Sequence, residues 1–509
     1  MMLFFISSPI FGQNPFLPPF AFVPDGEPDV FEYEGEKRLF IYGSRDERVT
    51  DYCGYGHDVW SAPVDDLTQW TNHGEIFNVR QVQEMGYGIV DEQHFGAPDC
   101  VYNPVLKKYF LYTFLGKPYK LDGKSGPEMD SPQTVPGYAD YGPKCVVAES
   151  DTPVGPFVNP RMCDWPALNA AGTFDPSVLV VGQEDGSVRV YAFWGMRKGD
   201  CWAELDPDDM RTIINGRTRK PDRTAWYRTL NNPTLNMNST LFEASSIKQV
   251  DKDHFVFICS TNESVPALTY FYSNSPEGPW MYGGVIIANN SGWNGGNNHG
   301  SIVQVDKRWY VVYHRRTCDD YNRQAMMEPV DLQIRDGKVL ISQVEMTSQG
   351  VLENGLDPFK KYYAGTISYL TGNVYIAGRL REKDGYNPVV VSGRKAGIGW
   401  KYFNFRDLNR KDNICLRLKM SLRSPDVKMD IGVSYPHASG ASDGILMLNS
   451  VSLSRYMSVG EEYCEIDIPV NKLSEYKIDG KVALFLYFES GNENNEMCRL
   501  KELEFVFKK

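Results

Sequence analysis

The sequence predicts an all-β chain, a five-bladed β-propeller followed by a β-sandwich domain, and three observations predict it. Helical periodicity is nearly absent, and short alternating runs separated by Gly, Asp, Asn and Pro dominate, as half-buried strands do. One strand–hairpin–strand–strand unit recurs at intervals of tens of residues, the pattern of blades around an axis. Aromatic residues make up 13% of the chain, with 30 Tyr and 10 Trp, a content that suits strands better than helices.

The units follow in order. The first runs from Asp25 through DVFEYEG to Leu39-Phe40-Ile41-Tyr42, and the second from Ala97-Pro98-Asp99 through CVYNPVLKK to Tyr109-Phe110-Leu111-Tyr112. Phe174-Asp175-Pro176-Ser177 opens the third, which turns at Glu184-Asp185-Gly186 into the run Val188 to Phe193. Phe242-Glu243 opens the fourth, with a polar turn at Asp251–Asp253 and an aromatic strand from His254 to Phe257. Asn298-His299-Gly300-Ser301 opens the fifth, ahead of the strand Trp309 to Tyr313. Two stretches, 116–143 and 198–238, read as insertions, and loops that long in a compact domain are usually walls or lids of a site.

A polar, punctuated stretch at 343–361 marks a boundary. The expected domains are 14–345 for the propeller, 346–361 for a linker and 362–509 for the sandwich. Residues 1–13, MMLFFISSPIFGQ, read as the apolar core of a shortened signal peptide, so a periplasmic or secreted protein is expected. No stretch reaches the roughly 18–20 apolar residues of a membrane span. A net charge of −12 without a basic run argues against nucleic acid or an anionic membrane as partner. The 10 Cys stand singly, with no CxxC, so neither a zinc knuckle nor a dense disulfide framework is signalled.

A propeller gathers the first strands of its blades around one axis. The entrance residues Asp25, Asp99, Asp175, Glu243 and His299 are therefore expected together at one end of it. Carboxyls so placed repel one another, and such like charge persists where it is used or neutralised by a cation. Calcium-loop and zinc spacings, nucleophile-elbow, phosphate-loop and dinucleotide fingerprints are all absent, and no metal ligands are assigned. Glycoside hydrolysis fits better, because it uses one protonated and one ionised carboxyl. At about 6.5–9.5 Å apart they admit a water and the reaction inverts; at about 5–5.5 Å the second attacks directly.

Over about Asn14 to Ile341 the chain resembles glycoside hydrolase family 43. The likeness is carried by Asn14-Pro15-Phe16-Leu17-Pro18, Pro24-Asp25-Gly26-Glu27-Pro28, Ile41-Tyr42-Gly43-Ser44-Arg45-Asp46, Ala97-Pro98-Asp99, Phe174-Asp175-Pro176-Ser177, Phe242-Glu243-Ala244-Ser245-Ser246 and His299-Gly300-Ser301 before Tyr313-His314-Arg315. The resemblance implies an inverting hydrolase with Asp25 as general base, Glu243 as general acid and Asp175 orienting Glu243 and keeping it protonated. At the base the family's context is replaced by Asp-Gly-Glu-Pro-Asp, which leaves Glu27 and Asp29 as alternatives. It also implies substrate contacts for Asp99, His299 and Arg323, and no required cofactor. A structural calcium ion is implied as an option near His299 or in the C-terminal domain. Trp194, Trp202 and Trp293 are candidates for stacking on sugar. The C-terminal part is similar to family 6 carbohydrate-binding modules, with glycan binding and plain packing on the propeller both open.

The implied activity is exo-acting hydrolysis of plant polysaccharides or oligosaccharides, as an α-L-arabinofuranosidase or β-D-xylosidase, with arabinofuranoside favoured. Other arabinan-, xylan- or galactan-active hydrolysis is the alternative. Retaining fructan-cleaving propellers need Arg-Asp-Pro and Glu-Cys motifs, which the matching entrances lack. A non-catalytic glycan-binding propeller is the reading from a different class, and three acids on one axis weigh against it.

Overall fold

The computed structural model describes residues 13–47, 51–89, 95–116, 118–120, 144–169, 172–197, 199–230, 241–261, 267–288, 297–319, 321–378, 386–406, 413–436, 444–470, 472–491 and 495–507. Four four-stranded antiparallel sheets and one three-stranded sheet form the blades of a five-bladed propeller. Their inner strands, Glu27–Tyr33, Gly96–Asn103, Ser177–Gly182, Leu241–Asp251 and Gly300–Val305, neighbour one another in a closed ring.

The second strand of each blade is buried on both faces, and its alternate side chains serve two different cores. In Glu36–Tyr42, Leu39 and Ile41 pack with Val303, Val312 and Met327 of blade five, whereas Phe40 and Tyr42 pack with Cys100, Leu111 and Val146 of blade two. In Val188–Trp194, Val190, Ala192 and Trp194 face Tyr112 and Val147 of blade two, while Tyr191 and Phe193 face Phe257 and Phe271 of blade four. Runs such as LFIY are thus continuous in sequence yet divided in space. Each interblade core is shared by neighbours, so no blade buries its surface alone.

Blade five has three strands, Gly300–Val305, Arg308–Arg316 and Arg323–Val330. The N-terminal segment lies beside the last of them. Phe16 N–H donates to the Ala325 carbonyl at 3.3 Å, and Asn14 takes both backbone groups of Met327, at 2.9 and 3.0 Å. Asn14 Nδ2 also reaches Glu328 Oε1 at 2.7 Å and the Thr347 carbonyl at 3.1 Å. Phe16 and Leu17 then fill the core between blades five and one. These contacts join the start of the propeller to its end.

The stretch 198–238 is not an insertion in its described part, because it carries the third and fourth strands of blade three, Cys201–Leu205 and Trp226–Arg228. The sequence hides them because Cys201–Leu205 is short and carries a buried acid. Glu204 is taken by Arg189 through Nε at 2.9 Å and Nη2 at 2.6 Å, and also by Arg219. Of the other expected insertion, residues 117 and 121–143 lie outside the described residues, and Pro118–Lys120 pairs with Tyr87–Ile89.

The C-terminal domain is one nine-stranded sheet folded on itself as a β-sandwich. Its longest strand, Val389–Asn404, pairs with Tyr369–Ile376, Lys481–Glu489 and Glu496–Phe507 and so belongs to both layers. Residues 346–361 lie against this domain. The Ser348 and Gln349 N–H groups both donate to the Lys401 carbonyl, and Leu356 N–H donates to Tyr402. Arg315 of blade five is fully buried and donates to the Gly365 and Ile367 carbonyls. One hydrophobic core runs from Ile286, Val311 and Met326 of the propeller to Ile367, Leu370 and Ile376 of the sandwich. All ten cysteines are free thiols, and among the described residues no helix is long and apolar enough to cross a membrane.

Replacing Asn14 leaves buried groups of Met327, Glu328 and Thr347 without their partner, each costing about 1–3 kcal/mol less what relaxation recovers. Asn14→Ala is therefore expected to lower the first calorimetric unfolding midpoint, whereas substitution of exposed Phe20, 62% accessible, is expected to leave it in place.

Candidate active site

The backbone builds the site before the side chains do. A non-glycine residue in the left-handed region stands at the mouth of every inner strand: Asp25 (φ 56), Ala97 (φ 43), Asp175 (φ 44), Ala244 (φ 66) and Asn297 (φ 59). Such a conformation is uncommon and costs about 1–2 kcal/mol for a residue with a Cβ. It is held by hydrogen bonds from the preceding blade. Asp25 N–H donates to His314 Nδ1 of blade five at 3.1 Å, Ala97 N–H to Ser44 Oγ of blade one at 2.8 Å, and Ala244 N–H to Asp175 Oδ2 of blade three at 2.7 Å.

Asp25 is buried, and its Oδ1 accepts from Arg323 Nη1 at 2.8 Å. Burial alone raises a carboxyl pKa. Here the Arg323 guanidinium overrides burial and holds Asp25 well below the usual carboxylate range. Arg323 is itself fixed by a two-pronged bond to Asp46, Nε and Nη2 each at 2.9 Å, and lies over the Tyr52 ring at 4.6 Å. His314 Nδ1 also stands 3.3 Å from Asp25 Oδ1. Because that nitrogen accepts from the Asp25 N–H, the proton sits on Nε2, which donates to the Asn297 carbonyl at 2.7 Å.

Asp175 and Glu243 complete the group. Both are buried, and both carboxyls are pushed up, Glu243 to about 7, by burial and by the negative charges around them. Asp175 Oδ2 accepts the Ala244 N–H at 2.7 Å, whereas among the described residues the Glu243 carboxyl receives a long contact from Asn297 Nδ2 at 3.4 Å. Hydrogen bonding to a carboxylate favours its charged form, so the Ala244 N–H opposes the rise at Asp175. His299 lies between, its Nδ1 3.6 Å from Asp25 Oδ1 and 3.7 Å from Asp175 Oδ2. Burial lowers its pKa to about 4, so the ring is neutral at neutral pH.

Asp99 stands elsewhere. The sequence repeat sets it level with Asp25 and Asp175, but Ala97 occupies the left-handed position, and Asp99 is two residues farther along its strand. It belongs with Glu27 and Ser177, also two residues past their turns. Its Oδ2 accepts from Ser177 Oγ at 3.0 Å and Val178 N–H at 2.6 Å, and burial with the Glu27 charge pushes its pKa up to about 8. Glu27 and Asp29 are both held by Lys248, at 3.1 Å each.

Trp194 is packing: it stacks on Trp165 at 4.9 Å and donates to the Pro166 carbonyl at 2.8 Å. Trp202 packs among Phe193 and Tyr227, and Trp293 lies outside the described residues. Calcium fits poorly near His299, because Arg323 already occupies the oxygens of Asp25 and Asp46 that a six-to-eight-oxygen shell would need. Among the described residues no group of three or more His, Cys, Asp or Glu side chains could hold a metal ion. Sequence reasoning assigned no role to Asp46 or Asn297. The first was visible only as part of a motif; the second carried one signal, an Asn beside glycines, the type that best tolerates a left-handed turn.

Residues 14–339 match the glycosyl hydrolases family 43. The chain belongs to that family. It is therefore a glycoside hydrolase of a family that inverts and needs no cofactor. A xylosidase/arabinosidase of Thermoclostridium stercorarium is 31% identical over 71% of this chain and 72% of its own. An arabinoxylan arabinofuranohydrolase of Paenibacillus polymyxa is 25% identical over 68% of this chain and 54% of its own. A solved family 43 arabinoxylan arabinofuranohydrolase from Bacillus subtilis, in complex with cellotetraose, is 18% identical over 98% of both chains at a TM-score of 0.46.

In this family 43 chain, Arg323 is the cation that two buried carboxylates share. Removing one partner of a buried ion pair costs about 3–5 kcal/mol, because the other is left uncompensated. Arg323→Met is expected to lose at least that much propeller stability, read as a lower thermal midpoint, whereas neutralising exposed Lys252 is expected to cost nothing measurable.

Proposed function

We propose that this family 43 enzyme removes terminal α-L-arabinofuranosyl or β-D-xylosyl units from plant cell-wall polysaccharides and their oligosaccharides, outside the cytoplasm. The substrate class is supported by the relatives named xylosidase/arabinosidase and arabinoxylan arabinofuranohydrolase. Arabinofuranoside is the first substrate to test. The roles rest on one observation: carboxyls of opposite protonation face one buried axis, Asp25 held ionised by Arg323 and Glu243 kept neutral near pH 7.

In this reading Asp25 takes a proton from the attacking water, and Glu243 gives its proton to the leaving glycosidic oxygen. Asp175, through its contact with the Ala244 N–H, fixes the backbone next to Glu243. Neutral His299 lies between the two aspartates as a polar floor for the sugar. Glu27 and Asp29 are unsuited to be the base, since they lie farther along the strand in the layer of Lys248 and Ser246, apart from Asp175, Glu243 and His299.

The acid's role has a leaving-group signature. A nitrophenolate leaves without much protonation, whereas a sugar alkoxide does not. Glu243→Gln is expected to lose about 10²–10⁴-fold on arabinoxylan oligosaccharides and far less on 4-nitrophenyl α-L-arabinofuranoside. Asp25→Asn is expected to lose comparably on both. Equal losses on both substrates for Glu243→Gln would remove Glu243 from the acid's role.

The pH profile follows from the same two groups. Activity requires Glu243 protonated, so kcat/KM on oligosaccharides is expected to fall tenfold per unit above about pH 7, where Glu243 ionises. It also requires Asp25 ionised, a condition lost only below the usual carboxylate range, so the acid limb is expected to be set by unfolding instead. A stopped assay after brief exposure to each pH separates the two causes.

A further inference from the structure

The C-terminal domain reaches the catalytic axis through blade five. The turn joining Arg308–Arg316 to Arg323–Val330 is gripped from that domain. Ile376 N–H donates to the Thr317 carbonyl at 2.8 Å, and Gly378 packs so closely on Asn322 that an added Cβ would stand 2.8 Å from its Nδ2. Inside the turn, Thr317 N–H donates to the Asn322 carbonyl at 3.0 Å, and Asn322 Nδ2 donates to the Asp319 carbonyl at 3.2 Å. A push on Asn322 is therefore felt along the whole turn.

That turn presents Tyr321, at φ 62, whose ring meets Tyr52 edge-on with centroids 4.9 Å apart. Tyr52 lies against the Arg323 guanidinium, and Arg323 holds Asp25. The two tyrosines are half-buried, so both keep surface open beside the most buried charges of the axis. Fixed aromatic rings next to hydrogen-bonding carboxyls suit a sugar, whose C–H face packs on the rings while its hydroxyls turn to the acids.

We propose that Tyr52 and Tyr321 form the sugar-binding wall beside Asp25, and that the C-terminal domain holds this wall in place through the Gly378–Asn322 contact. The proposal rests on the pentoside reading above and adds to it the residues that set affinity. It gives the C-terminal domain a part in substrate binding without a glycan site of its own. Tyr52 and Tyr321 touch the sugar; Asn322 and Gly378 are positioning residues.

The test is steady-state kinetics of the full chain on 4-nitrophenyl α-L-arabinofuranoside and β-D-xyloside, with thermal midpoints measured alongside. Tyr321→Ala is expected to raise KM about tenfold with kcat within about threefold and the alkaline limb unmoved, as loss of uniform binding requires. Tyr321→Phe keeps the ring and is expected to restore KM. Gly378→Ala, in the C-terminal domain, is expected to raise KM in the same direction at an unchanged thermal midpoint. Asn322→Ala, which alters the contact from the propeller side, takes its place if Gly378→Ala does not fold. A wild-type KM in Tyr321→Ala overturns the proposal, as does a loss confined to kcat and stability. A raised KM in Tyr321→Ala with a wild-type KM in the folded Gly378→Ala or Asn322→Ala overturns the part given to the C-terminal domain. Failure of the pentoside reading looks different: the wild-type chain turns over neither substrate, and the sugar-binding wall falls with it.

Discussion

The Arg323 guanidinium is the interaction on which the axis depends. Asp25, Asp46, Asp175 and Glu243 are all buried at one end of the propeller, and four carboxyls cannot all be charged there. Arg323 divides them by geometry. Its fork is spent on Asp46 and Asp25, and it holds Asp25 well below the usual carboxylate range, while Asp175 and Glu243 lie beyond its direct bonds and are pushed up by burial and by the acids beside them. A single cation placed off-centre thus favours the ionised form on one side of the axis and the protonated form on the other. A lysine could supply the charge but not the two-pronged grip on Asp46 that aims the remaining N–H at Asp25.

Ring closure puts these groups in register. Each left-handed turn whose amide partner is described takes that partner from the blade before it, so the site is a property of adjacent blades rather than of any one. Asp25 shows this most clearly, because its amide is held by His314 of the last blade. Its position therefore depends on the seam between blades five and one, which Asn14, Phe16 and Leu17 bind together. The N-terminal segment thus fixes the blade that carries Asp25.

Much of this was legible in the sequence. Strand patterning and the repeat gave the blades, and the repeat brought Asp25, Asp175, Glu243 and His299 to one axis, where the structure has them together. What failed had physical causes. Asp99 was set level with Asp25 as the polar entrance residue of its repeat unit, but register follows the left-handed backbone, and that falls on Ala97. Cys201–Leu205 looked like loop because its buried Glu204 depends on Arg189 and Arg219, partners that sequence spacing does not reveal. The bonds of Arg323 to Asp46 and Asp25 are invisible without the fold. Trp194 and Trp202 looked like sugar platforms, yet large aromatics at interblade seams are core.

Two residues past the catalytic turns, the axis repeats the arrangement with a different cation. Lys248 engages Glu27 and Asp29 and the Pro28 carbonyl, while Asp99, pushed up to about 8, stays protonated and bonds to Ser177 and Val178. Ser246 Oγ joins Glu27 to Ser301 at 2.8 and 2.7 Å, tying blades one, four and five together. Lys248 offsets one of the two carboxylate charges in this layer and the protonated Asp99 adds none, so the layer is left with about one net negative charge. Had its acids been left without Lys248, they would repel the ionised Asp25 two residues away and raise its pKa. The lower cation therefore does for its layer what Arg323 does for the upper one: it lets a carboxyl-rich axis fold.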